Sequence, residues 1–253
     1  MILRRVIVHV KEQNWTAVFL DFVIVVFGVF IGIQLGNWNE ARAERAQSVA
    51  FTRALQNDLR ADAVLYRVIA DYYSTARENG ERVLASLEGG AELSDEELIV
   101  SAYRASQVAF LPTNRSTFDE LVSTGRINLI SEPDLRKLAT YHFGADQVDF
   151  ALQSGRQSDY RSRFRGAIPP IAHEAARTHC GDRVVDGKFT LEFACSLDLP
   201  PSVAAQAAAA LRSDAALPEA LRRRINQLDI QIYDMRERAD RLVSRVPQQE
   251  QRP

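Results

Sequence analysis

An uninterrupted apolar run near the N-terminus is the feature that most constrains this chain. Residues 22–33 read FVIVVFGVFIGI, and Trp15 and Trp38 bracket the wider segment 15–38 as interfacial aromatic residues do. A helix of that length extends over about 35 Å, enough to cross a hydrocarbon core of about 30 Å with some tilt. The sequence therefore predicts a transmembrane helix over 15–38, with residues 1–14 as its N-terminal flank.

Two other interpretations fit part of this pattern. A twelve-residue apolar stretch also occurs in buried strands and in core helices. A cleaved signal peptide is the second alternative, with Ala41-Arg42-Ala43 as a small-residue site. That site lies well past the apolar run, and the leader before the run is long and contains Asp21. We expect the segment to remain uncleaved as a signal anchor.

One face of the predicted membrane helix carries small residues. Gly28, Gly32 and Gly36 recur at four-residue spacing, and Asp21 falls on the same stripe. Glycines at this spacing flatten a helix and let two backbones approach closely inside a bilayer. A carboxyl group in the span is costly unless it pairs, faces another helix or reaches the headgroups. The pattern predicts a homo-oligomer formed through the membrane helix.

The flanking charges leave the orientation of the helix undecided, because basic residues are equally frequent on both sides. They are Arg4, Arg5 and Lys11 before the span, and Arg42, Arg45 and Arg53 after it. A short N-terminal tail in the cytoplasm with an exported domain is the commoner arrangement. We therefore expect a bacterial inner-membrane protein with one membrane crossing and a periplasmic domain.

The remainder of the chain, residues 39–246, reads as one mainly helical soluble domain. Apolar residues recur at helical spacing from Phe51 to Tyr73, and Ser94 with Glu97 forms a capping box. Asp186-Gly187 between two short apolar segments predicts a small β-hairpin. The fold class is thus mainly α: a transmembrane helix that continues into a helical bundle with one hairpin. The polar tail 247–253 is predicted to be disordered.

The last predicted helix, 218–246, carries a regular heptad seam with Arg and Asp residues flanking it. Its members are Leu221, Ile225, Leu228, Ile232, Met235, Ala239, Leu242 and Val246. We expect this seam to pack inside its own domain, against the helix over 40–88. An intermolecular coiled coil is the alternative.

The two cysteines of the chain, Cys180 and Cys195, lie on either side of the predicted hairpin. A turn at Asp186-Gly187 sets residue 180 opposite residue 193, close enough for the roughly 4.4–6.8 Å that a disulfide requires between Cα atoms. Such a bond indicates an oxidising compartment. Two unpaired thiols, or a zinc site with His173 and His179, are the alternatives, although the spacing fits no standard zinc finger.

Two stretches of the sequence resemble a bacterial family known only as domain-of-unknown-function family 6090. The first is DFVIVVFGVFIGIQLGNWNE at 21–40, and the second is STFDELVSTGRINLISEPDLRKLATYH at 116–142. The resemblance covers most of residues 12–150 and includes a box at the membrane boundary, Asn37-Trp38-Asn39-Glu40. It implies a membrane-anchored helical protein and no established activity.

Composition and motifs exclude several function classes. A net charge of −2 and a pI near 6.1 argue against a broad basic face for nucleic acid. His173-Glu174 begins a zincin motif, but position 177 holds Arg instead of the second His. We predict no catalytic residue, no metal and no cofactor.

The remaining interpretation is a non-enzymatic interaction or sensing module that is bound to the lipid bilayer and meets an unidentified protein partner. The alternative is a membrane-tethered enzyme of unrecognised type. Its pocket residues would come from the histidines and the clustered Tyr and Arg residues: His173, His179, Tyr160, Arg161, Arg163 and Arg165.

Overall fold

The computed structural model describes residues 15–109, 111–144, 147–185 and 188–246. The side chains of residues 15–18, of Asp21 and of residues 147–149 lie outside this description. The predicted N-terminal flank, the predicted disordered tail at 247–253 and the turn residues Asp186-Gly187 also lie outside it.

The described chain is mainly helical, as predicted, with one short antiparallel hairpin. In chain order the elements are α1 (Trp15–Leu87), α2 (Asp95–Ala105), α3 (Ser116–Ser123), a 3-10 turn (Ile127–Leu129), α4 (Pro133–Gly144), α5 (Gln147–Arg156), α6 (Asp159–Ala167), α7 (Pro170–Cys180), β1 (Arg183–Val185), β2 (Lys188–Thr190), α8 (Pro201–Ser213) and α9 (Leu217–Arg245).

Backbone contacts divide the chain into two compact units. The first contains the described residues from 15 to 53 together with 128–131, and the second contains the described residues of 54–127 and those from 132 onward. Helix α1 contributes to both units. In the first unit, the Ser48 hydroxyl donates a hydrogen bond to the Leu129 carbonyl, which ties the short 128–131 segment to α1.

Helix α2 lies in the core of the second unit and packs against α7 and α8. Its start is fixed by the predicted capping box, since the Ser94 hydroxyl accepts from the Glu97 amide and the Glu97 carboxylate accepts from the Ser94 amide. Leu98, Ile99 and Ala102 are fully buried on this helix. The local capping signal therefore positions a helix against which two other helices pack.

The heptad seam of α9 packs inside the second unit, as expected. All of its members are buried except Ile225, which is half-buried. Gly80 of α1 marks the contact, because a Cβ placed there would lie 3.3 Å from Ile225 Cγ1 and 3.4 Å from Leu221 Cδ1. The seam is covered by its own chain and is not free to form an intermolecular coiled coil.

Candidate functional site

Nearly all of the described side chains in the apolar part of α1 are exposed. Among the described residues, α1 is the one helix that is long and apolar enough to cross a membrane, judged by length and composition. None of its most apolar window is buried, so the interpretation as a core helix is wrong. Phe22, Phe27 and Ile31, for example, each expose more than half of their side-chain surface.

The predicted boundary residues at the C-terminal end of this span are also exposed. Asn37, Trp38, Asn39 and Glu40 all lie on the helix surface, and the Arg42 guanidinium stands 6.0 Å from the Trp38 ring centroid. A Trp with a cation one turn further on suits the level of the lipid headgroups. At the other end, the Trp15 side chain lies outside the described residues.

The three glycines of the span form an open face. A Cβ placed at Gly28, Gly32 or Gly36 would meet no atom of the described residues within 4 Å. The backbone there is therefore accessible to a second helix at close range. Asp21, the fourth member of the predicted stripe, has a side chain outside the description.

The hairpin brings the two cysteines together. Arg183 pairs with Thr190, and Val185 pairs with Lys188, a register that sets residue 180 opposite residue 193 as the sequence predicted. Cys180 is the last residue of α7, and its Cα lies 5.4 Å from that of Cys195 with the sulfur atoms at disulfide distance. Within the described ranges, no group of three or more His, Cys, Asp or Glu side chains could hold a metal ion.

A buried polar cluster that sequence analysis did not find lies in the second unit. The His142 Nε2 group donates to Asp62 Oδ2 at 2.7 Å, and the backbone and side-chain amides of Asn114 both donate to Asp62 Oδ1. Asp62 is completely buried. The Tyr66 ring packs edge-on against His142, and burial raises the pKa of Tyr66 to about 12. No sequence motif marks residues separated by 80 positions.

A second buried group surrounds the C-terminal end of α2. Arg224 is 1% exposed and donates to the carbonyls of Ala105 and Gln107, while Arg161 donates to the Ser106 carbonyl. Cations at this end of a helix satisfy the last carbonyls and oppose the negative end of the dipole. Burial lowers the pKa of Arg161 to about 10 and also lowers that of Arg224.

The residues of the enzymatic alternative lie in different environments. Tyr160 is fully buried and donates to the Ala102 carbonyl, whereas Arg163 forms surface ion pairs with Asp159 and Asp214. His173 packs against the Tyr103 ring, with centroids 6.1 Å apart. Its pKa is lowered, first by burial and then by neighbouring arginines.

His179 lies exposed on α7, and its carbonyl accepts a hydrogen bond from Arg183. Arg165 is exposed as well. The cluster that the sequence suggested is thus divided between a buried tyrosine, an arginine that caps α2 and a solvated helix face.

A comparison with protein families finds a match that covers the apolar span and part of the helical unit. The model of a family described as a family of unknown function, DUF6090, matches residues 21–145. This segment contains the apolar span, the boundary box and the Asp62–His142 cluster. The resemblance noted from the sequence is thereby confirmed. No curated protein and no solved structure matches the chain.

Proposed function

We propose, from the premise that this chain belongs to the family of unknown function DUF6090 through residues 21–145, that it is a membrane-anchored interaction or sensing module. In this account α1 anchors the chain in a bacterial inner membrane through residues 15–38. The helical unit that follows has no catalytic task and presents its surface to an unidentified protein partner.

The exposed apolar span carries this proposal. A soluble protein rarely exposes a contiguous apolar surface of more than a few hundred Å², and such surfaces mark membrane or protein interaction sites. Here, among the described side chains from Phe19 to Leu35, all are exposed except that of Val23, which is half-buried. A bilayer covers that surface completely, because every backbone amide in the segment is satisfied within the helix.

The cysteine pair supports the location of the helical unit. Disulfides persist in the bacterial periplasm and are rare in the reducing cytoplasm. Cys180 and Cys195 lie at disulfide distance in the second unit. We therefore place this unit on the periplasmic side, which leaves the short N-terminal flank in the cytoplasm.

The glycine face supports self-association of the anchor. Gly28, Gly32 and Gly36 are open to a second helix, and a homo-oligomer would bury the Asp21 side of the span away from lipid. Three polar residues of the enzymatic alternative, Tyr160, Arg161 and Arg163, are engaged in structural contacts, which favours a module over an enzyme.

Membrane fractionation tests the anchor. The wild-type protein should stay in the pellet after an alkaline carbonate wash, and the double variant Phe27→Arg, Ile31→Arg should be lost from it, because each mid-span Arg costs about 3 kcal/mol of insertion. Val64→Arg, at an exposed apolar position of the second unit, is the matched control and should remain in the pellet. Release of the wild-type protein by the wash would refute the proposal.

A further inference from the structure

A cleft beside the cysteine pair makes the two sulfur atoms unequal. It has a volume of about 340 Å³, and Cys195 lines it together with Arg104 and Phe193. Cys195 is half-buried, whereas Cys180 exposes no surface at all. A reagent that enters the cleft can therefore reach Cys195, whereas Cys180 is shielded from it.

The carboxylates in this cleft are already engaged. Glu97 accepts from the hydroxyl and the amide of Ser94 in the capping box. Glu96 accepts from the Ser196 hydroxyl at 2.9 Å and from the Leu197 amide at 2.6 Å. Both acidic side chains are thus held in place by neutral donors. Glu97 also forms an ion pair with Arg82 at 4.0 Å, whereas no ion pair with a carboxylate is formed by Arg104 among the described residues.

The guanidinium of Arg104 lies against the sulfur of Cys195. Its Nη2 atom donates to the Phe193 carbonyl at 2.6 Å and stands 3.4 Å from Cys195 Sγ. Within the described residues, its Nε atom is buried without a hydrogen-bond partner. Arg82 lines the same cleft and pairs with Glu97 at 4.0 Å. The positive charge closest to Cys195 is therefore that of Arg104, which also has an unused donor.

Asn79 adds a further unused group. It is 7% exposed and lines the same cleft, and its Nδ2 atom donates to the Thr75 carbonyl. Its Oδ1 atom has no partner. A buried polar atom without a partner is costly unless a ligand or water meets it. Asn79 can therefore accept from a polar group, such as an amide, of an occupant.

We propose that Cys195 is a thiol-exchange site for a small acidic thiol, such as a cysteine-containing peptide that carries carboxylates. The incoming thiolate attacks Cys195 Sγ and forms a new S–S bond, while the Cys180–Cys195 bond breaks. The electron pair stays on the Cys180 sulfur, which takes up a proton. The product is a mixed disulfide at Cys195 and a free thiol at Cys180.

The charge of the cleft gives the reaction its preference. A thiolate that carries carboxylates is drawn to Arg104 and Arg82, and a thiol that carries an ammonium group is not. The positive charge of Arg104 is itself disfavoured here. Its pKa is lowered first by its own burial and then by the neighbouring cations Arg82 and Arg183. An anionic occupant relieves this repulsion.

Peptide mapping tests the position of attack. The full-length protein in detergent is treated with reduced glutathione under native conditions, released thiols are alkylated, and the adducts are located by mass spectrometry. We expect glutathione on Cys195 and the alkyl group on Cys180. Glutathione on Cys180, on both cysteines equally or on neither would overturn the proposal.

The rates of two thiols test the preference. Glutathione should react faster than cysteamine at equal thiolate concentration, and Arg104→Gln should lower that rate ratio roughly three- to tenfold. Arg222→Gln removes an exposed cation paired with Glu88 outside the cleft, so it should leave the ratio unchanged. In the unmodified protein, added salt should reduce the ratio. A ratio insensitive to salt and to Arg104→Gln would contradict the role of the cleft, whether or not the variant is less stable.

Discussion

At the scale of single residues, two buried polar groups hold the second unit together. Asp62 receives three hydrogen bonds, two from Asn114 and one from His142, and it joins α1 to α4 and to the loop before α3. A buried carboxylate that is fully paired specifies one arrangement of its partners. The free-energy cost of removing the Asp62 carboxylate comes mainly from the buried donors that are left without an acceptor.

We predict that Asp62→Ala lowers the free energy of unfolding by about 3 kcal/mol, because His142 and Asn114 keep buried donors that nothing accepts. Urea denaturation followed by circular dichroism measures the change. Asp71→Ala, at an exposed position of the same helix, serves as the control and should stay within about 0.5 kcal/mol of wild type. Equal effects of the two substitutions on the free energy of unfolding would show that the Asp62 cluster does not stabilise the fold.

Arg224 allows a second prediction at this scale. Arg224→Met should cost about 2–4 kcal/mol, since the carbonyls of Ala105 and Gln107 lose their donor inside the core. The neighbouring Arg223→Met removes an exposed guanidinium paired with Asp159, and it should cost about 1 kcal/mol or less. Chemical denaturation of both variants under one condition makes the comparison. A loss at Arg223 as large as that at Arg224 would refute the capping role.

At the scale of elements, the sequence predicted those features that depend on apolar periodicity and on local turn chemistry. Leu55, Leu59 and Tyr66 form the buried face of α1 because helical spacing assigns them to one side. The hairpin register followed from the turn position. Both kinds of signal are local, so they can be recognised in the sequence without knowledge of the tertiary structure.

The contacts that the sequence could not supply are those between distant residues. Arg224 lies beside the heptad seam, where a charged residue is expected in solvent, and it is buried because the end of α2 needs donors. Asp62 and His142 are separated by 80 positions and carry no spacing motif. Only the packing of α2, α4 and α9 creates the environment in which these polar groups are favourable.

The membrane helix carries the prediction that belongs to the element scale. Gly32→Leu should weaken self-association of α1, because a branched side chain fills the open face that close backbone contact requires. A reporter of helix association in a bacterial membrane measures the loss. Val29→Leu changes an exposed apolar position of the span without filling the glycine stripe, so its signal should match wild type. If Gly32→Leu retains the full signal, the glycines form no interface.

At the scale of the whole molecule, the two units make different demands on their surroundings. The first exposes an apolar helix that is long enough to span a membrane, and the second contains a cysteine pair that indicates an oxidising compartment. The proposed single membrane crossing between cytoplasm and periplasm would meet both demands. A cleaved signal peptide would meet the second demand only, and it would remove the apolar span from the mature protein.

Intact-mass spectrometry of the protein from its native host, alkylated under denaturing and non-reducing conditions, tests both demands in one measurement. The account predicts a mass that retains the span 15–38 and carries no alkyl group until the protein is reduced, when two alkyl groups appear. A mature N-terminus at or near Glu44, or two alkyl groups before reduction, would contradict the membrane-anchored, disulfide-bonded protein described above.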